Sequence, residues 1–135
     1  MGYKIEAVEG IGRVHGDTLR RHGITRTDRL LERASTRKGR KELADQTGID
    51  EGLILKWANC CDLMRVRGIA EEYSELLEVA GVDTVKELRN RRADNLLKAM
   101  TDANEKRRLV RQLPGQKQVE RWIEHAKTLP PLMQY

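Results

Sequence analysis

"VEGIGRVHGDTLRRHGI", Val8 to Ile24, and "VRGIAEEYSELLEVAGV", Val66 to Val82, follow one pattern at a distance of 58 residues. The shift lays Gly10 on Gly68, Ile11 on Ile69, Leu19 on Leu77, Gly23 on Gly81 and Ile24 on Val82. It extends upstream, with Ile5 on Leu63 and Val8 on Val66, and downstream, with Leu30 on Leu88. Apolar and glycine positions agree while charged positions vary, so what repeats is a core and its turns. Further along the register becomes 65, and Ile54, Trp57, Ala58, Cys61 and Met64 fall on Val119, Trp122, Ile123, Ala126 and Leu129. These positions step by three or four residues, as one buried helical stripe does. Both tryptophans are therefore core candidates. Cys61, matched to Ala126, reads as a small core residue, whereas Cys60, matched to His125, reads as exposed.

Local signals favour helix throughout. Gly23 and Gly81 each close an apolar-periodic stretch and precede a β-branched residue, as expected of a left-handed glycine just past a helix end. His22 beside Gly23 places a partly positive ring where the helix dipole favours it. Thr84-Val85-Lys86-Glu87 reads as a capping box, Asp50-Glu51 sets negative charge at the start of the Trp57 helix, and Asp94 opens another helix. Short connector helices are expected over Thr27–Arg33 and Thr84–Arg91. No segment alternates with a strand's period of two. The pattern predicts about nine helices, with boundaries good to roughly two to four residues, a stop at Pro130-Pro131 and a tail from Met133 to Tyr135.

Composition bounds the function. The chain has 135 residues, 39% of them apolar, which suits one modest domain or two small fused units and not a deep multilayer enzyme. Charged residues make up 35% and the net charge is +5, compatible with an acidic partner such as nucleic acid. Residues 1–64 carry 12 basic against 10 acidic side chains and the remainder 14 against 11, so any positive patch has to be assembled by folding. No stretch reads as a signal peptide, lipidation site or membrane span, and a cytoplasmic location without membrane attachment is the expectation. Adjacent cysteines with no second pair fit neither a disulfide framework nor a zinc site of ordinary spacing. There is no phosphate-binding P-loop, no nucleotide fingerprint after a strand and no His/Cys cluster, so a non-enzyme without cofactor or metal is expected.

Four turn segments each separate two helical stretches: Val8–Gly12, Gln46–Ile49, Val66–Ala70 and Gln112–Gly115. Their apolar-Gly-apolar character resembles the helix-hairpin-helix motif, and the order of hairpin, connector, hairpin resembles its doubled form, taken twice over nearly the whole chain. That resemblance implies an all-α fold of two tandem five-helix-like repeats, of the kind shared by SAM and RuvA-like helical domains, over residues 1–64 and 65–135. The blocks "TRKGRKELADQTGIDEGLILKWAN", "RGIAEEYSELLEVAGVDTVKELRNR" and "QVERWIEHAKTLPP" are similar to a bacterial family described as domain of unknown function 4332.

In DNA-binding members of the helix-hairpin-helix class, turn amides hold backbone phosphates with little regard to base sequence. The physical basis is a glycine bend that allows close approach and a helix start that directs unpaired N–H groups outward. Carried over by position, the resemblance implies Gly10, Gly12 and Arg13, then Gly68 with Arg65 and Arg67, then Gly115 with Arg111 and Lys117, as residues facing duplex or branched DNA. The second turn, flanked by Asp45, Asp50 and Glu51, reads as scaffold, and Glu71-Glu72 weaken the third. Three basic clusters, Arg37–Lys41, Arg89–Arg92 and Lys106–Arg108 with Arg111, would add an electrostatic footprint if they share a face. With no Phe and 4% aromatics, base-stacking platforms for single strands are not expected. The other reading is a protein-interaction or scaffold module on the same fold without nucleic-acid binding.

Overall fold

The computed structural model describes residues 2–135, and among them eight α-helices carry the regular structure. They are α1 (Gly12–Arg21), α2 (Thr27–Ala34), α3 (Arg37–Thr47), α4 (Glu51–Leu63), α5 (Glu71–Val79), α6 (Val85–Leu88), α7 (Ala93–Arg107) and α8 (Gln116–Thr128). One 3₁₀ turn, Ile5–Ala7, precedes them, and the extended backbone is limited to a single bridge between Lys4 and Arg26. The chain is all-α, as its periodicity predicts.

Sequence signals account for where the helices begin and end. After α1, the Gly23 N–H donates to the Arg20 carbonyl and the Ile24 N–H to the Leu19 carbonyl; after α5, Gly81 and Val82 do the same with Glu78 and Leu77. These paired bonds are a Schellman closure, and they use the glycines expected for it. Asp50 caps α4 by accepting from the Leu53 N–H at 3.3 Å, Thr36 caps α3 through Gly39 at 3.0 Å, and Thr84 caps α6 through Glu87 at 3.4 Å. Each removes one orphan donor from a helix start.

The second half repeats the order of the first. Moving α4 by 65 residues lands on α8 end to end, and moving α1 by 58 lands on α5 to within one residue. Ile5, Leu19, Ile24, Leu30, Ile54 and Trp57 belong to one buried cluster, and their counterparts Leu63, Leu77, Val82, Leu88, Val119 and Trp122 to another. The counterpart of the 3₁₀ turn is the end of α4, which runs straight into the second half.

Several expectations need correction. The connector expected over Thr84–Arg91 is only the four residues of α6. In α2 the buried Leu31 and Ala34 reward a second turn, whereas Arg89 and Arg92 stand at the matching positions with nothing apolar to bury. Cys60 is buried, not exposed, at 3% accessibility, because α5 packs on α4 there, whereas the matching His125 of α8 is half-buried. Residues 133–135 form a strap, not a loose tail. The Gln134 N–H donates to the Ser35 carbonyl at 2.8 Å, Met133 packs on the first core and the Tyr135 hydroxyl donates to Asn59 Oδ1 at 2.7 Å.

Candidate nucleic-acid interface

The first and third turns are built on the same support. At Gly10 and Gly68 the backbone is left-handed, with φ +90° and +93°, a region open to glycine at no steric cost. Beneath each lies a buried tryptophan whose indole Nε1 approaches the turn: a Cβ on Gly10 would stand 3.8 Å from Trp57 Nε1, and one on Gly68 only 3.0 Å from Trp122 Nε1. A ring from the following helix leans on each tryptophan, His15 on Trp57 and Tyr73 on Trp122, both at 5.1 Å between centroids and 57° between planes. His15 and Tyr73 are 58 residues apart, so the repeat extends to side chains that differ in type. The outer surfaces of both glycines are exposed.

The turns differ in what they offer an anion. At the first, the Ile11 N–H is taken by the Val8 carbonyl, but no side chain caps α1, so the amides of its opening turn, those of the exposed Gly12 and Arg13 among them, have no side-chain acceptor. Arg13 is exposed and enters none of the ion pairs among the described residues. Glu9 is the nearby carboxylate on the same turn. The second turn is closed from within, since Thr47 Oγ1 accepts from the Ile49 N–H at 3.2 Å and Asp50 caps the next helix.

Third-turn residues are largely committed elsewhere. Arg65 donates to Asp62 Oδ1 at 2.8 Å and to the Pro130 carbonyl at 2.8 Å, which makes it a structural side chain. The Arg67 N–H donates to His125 Nδ1 at 3.0 Å, while the Arg67 side chain is exposed. Glu71 and Glu72 occupy the opening turn of α5. At the fourth turn Gly115 is extended, with φ −78°, and serves as the N-terminal boundary of α8, which has no side-chain cap. Lys117 and Arg111 are exposed beside it.

Two of the three basic clusters contribute less than their sequence suggests. Arg40 is buried, donates to the Ala34 carbonyl at 3.0 Å and the Gln134 carbonyl at 2.8 Å, and lies 5.7 Å from the Tyr135 ring centroid. Arg92 is paired with Asp94 at 3.1 Å. Lys106, Arg107, Arg108 and Arg111 remain exposed. Arg107 and Glu9 both act on the carboxyl of Glu75, which burial holds above the ordinary carboxylate range, Glu9 adding to the rise and Arg107 opposing it.

A groove that sequence reasoning did not find runs beside the third turn. Arg67, Gly68, Gln118, Arg121, Trp122 and His125 line a volume of about 480 Å³. A second groove of about 400 Å³ adjoins it, sharing Arg67, Gly68 and His125. The available signal was the spacing of Gln118, Arg121 and His125, which puts them on one helical face beside Trp122, but the stripe around that tryptophan reads as core alone.

A family model described as "Domain of unknown function (DUF4332)" matches residues 9–129. The chain belongs to the DUF4332 family. The match takes in the second, third and fourth turns, all of the first but Val8, and both tryptophans of the repeat, so the paired turn–tryptophan supports lie inside the family's own domain. No curated protein and no solved structure matches the chain. Among the described residues no group of three or more His, Cys, Asp or Glu side chains is placed to hold a metal ion, and no helix is long and apolar enough to cross a membrane.

Proposed function

We propose that this member of the DUF4332 family is a non-catalytic protein that binds nucleic acid through the phosphate backbone, using glycine turns of the helix-hairpin-helix kind. The observation that carries this reading is the start of α1: exposed left-handed glycines at positions 10 and 12, an uncapped helix end and an unpaired Arg13. Backbone amides and a positive helix end attract phosphate oxygens and read no bases. The start of α8, uncapped and carrying Lys117 with Arg111 close in sequence, is the second contact, and the exposed cations at the end of α7 extend it. The third turn contributes the Arg67 side chain at most.

Fluorescence anisotropy at low salt against duplex, single-stranded and branched DNA tests this. Binding should weaken steeply with salt, because each neutralised phosphate releases counterions. Arg13→Glu and Lys117→Glu should each weaken binding roughly tenfold and lower the salt slope by about one, with helical content unchanged. No binding to any of the three DNAs overturns the reading, and full affinity in both variants removes the turns from it.

A second reading, a protein-docking module, is favoured by the groove on α8. Its lining offers arginine side chains and a partly exposed helix face but no free turn amide at Arg67.

A further inference from the structure

The last helix-to-helix turn of each half is closed in the same way but built from different residues. α3 packs on α4 as α7 packs on α8. Just past the end of α3 and of α7 one residue is left-handed, Gly48 in the first case and Arg108 in the second. Each donates its N–H to the carbonyl four residues back at 2.8 Å, Gly48 to Ala44 and Arg108 to Asn104. All other positive-φ positions among the described residues are glycines, whereas Arg108 stands at φ +48° with a Cβ that this conformation crowds. The charges differ as well. Gly48 is flanked by Asp45, Asp50 and Glu51, while residues 106–119 contain Lys106, Arg107, Arg108, Arg111 and Lys117 and no carboxylate. The connection is also longer, spanning residues 108–115 in place of 48–50.

The longer connection is held in place. Asn104 Nδ2 donates to the Val110 carbonyl at 3.2 Å, and Asn104 Oδ1 accepts from the Val110 N–H at 3.1 Å. The Tyr73 hydroxyl donates to the Gln112 carbonyl at 3.1 Å. Val110 and Pro114 are buried, and Leu109 and Leu113 pack on the second core. The five cations are left exposed, and none of them enters an ion pair among the described residues. We propose that this connection is a preformed site for the phosphates of a nucleic-acid backbone, with Arg108 kept in a strained position for the contact that its side chain makes. The inference rests on the nucleic-acid reading and names its anchoring residue. Local stability favours glycine at such a helix end, as at Gly48, so the arginine stands there against the preference of the backbone. Cations on a backbone already fixed meet phosphates without the entropic cost of ordering a loop. A membrane surface is disfavoured, because the apolar residues of the connection pack on the core and leave none to insert.

Arg108→Gly in the full chain tests this, since it removes the side chain where the backbone suits glycine. With a duplex of about 20 base pairs at low salt, its Kd should rise about tenfold and its salt slope fall by about one. Its urea midpoint should rise at the same time, relief of the left-handed strain outweighing the extra freedom of glycine in the unfolded chain. Arg108→Asn, which also tolerates that region and keeps a side chain, should lose affinity equally, while Arg108→Lys should stay within about threefold of the native protein because the charge remains. Native affinity in Arg108→Gly, with Arg13→Glu and Lys117→Glu both weakened, overturns the inference and leaves the nucleic-acid reading standing. A lower midpoint in Arg108→Gly also overturns it, because the arginine then serves the fold. No DNA binding by the native protein overturns both. Binding to vesicles of anionic lipid that Arg108→Gly abolishes, alongside unchanged DNA affinity, assigns the connection to a membrane surface and overturns the inference as well.

Discussion

At the scale of single residues, Gly10 and Gly68 share a backbone conformation and differ in clearance, and the difference can be measured. An alanine at either site is held at positive φ, at a cost of about 1 to 2 kcal/mol. At Gly68 the new methyl also meets Trp122 at 3.0 Å, against 3.8 Å from Trp57 at Gly10, and the tryptophan is buried at 1% accessibility with little room to retreat. Gly68→Ala should therefore lower the urea midpoint more than Gly10→Ala, and equal losses would show that the indole yields. A second residue-scale prediction concerns Glu6, which Arg20 Nε holds at 2.8 Å. That hydrogen bond lowers the Glu6 carboxyl from 4.5 to about 2. The ionised form is thus favoured in the folded chain, so the pair contributes above pH 4.5 and its contribution is lost as pH falls toward 2. Both side chains are well exposed and screened by salt, so the effect is small. Thermal melts across that window should show a modest acid loss that Glu6→Gln and high salt both flatten.

At the scale of elements, α4 is distinguished by being buried on two sides. It contributes Ile54, Trp57 and Ala58 to the first core and turns Cys60 toward α5. Burial, with Glu78 nearby, pushes the Cys60 thiol up to about 12 and raises that of Cys61 as well. Neither thiol forms a thiolate near neutral pH or meets solvent, so Ellman's reagent should react with the native protein only as fast as the chain opens, and with both thiols at once in urea. Rapid labelling of Cys60 in the native state would mean that α5 leaves α4 readily. α6 shows the opposite case. It has four residues because the positions that would extend it carry arginine, and its opening amide, at Val85, is satisfied from another helix by Asp62 Oδ2 at 2.9 Å.

Across the whole molecule, the two cores are joined where α4 ends. Leu63 packs in the second core and Met64 in the first, while Asp62, fully buried, bonds Val85 of α6 and Arg65 of its own segment. The strap of residues 133–135 ties the far end of the chain back to α3, α4 and the turn before α3 through Arg40, Asn59 and Ser35. These links predict one cooperative transition, with fluorescence from variants retaining only Trp57 or only Trp122 changing at the same urea concentration. Asp62→Ala removes two charge-assisted hydrogen bonds and should cost about 2 to 3 kcal/mol. Its effect should be largest on α6, visible as faster amide exchange over Val85–Leu88; a loss confined to the first half would place the joint elsewhere.

The sequence by itself determined the helical class, the repeat and the places where helices stop, because these depend on local periodicity and on glycine, threonine and aspartate at fixed offsets from a helix end. It also determined that Trp57 and Trp122 are core, since apolar spacing alone puts them on a buried stripe. Only the tertiary structure decided the fate of the polar candidates. Arg65 and Arg40 look in sequence like any other exposed cation, and their commitment to Asp62 and to the carbonyls of Pro130, Ala34 and Gln134 depends on partners up to 94 residues away. Cys60 and His125 occupy matching positions, and only the packing of α5 on one face and not on the other buries the first and leaves the second lining a groove. Periodicity records which side of a helix turns inward, but which neighbour then covers that side is settled by long-range packing.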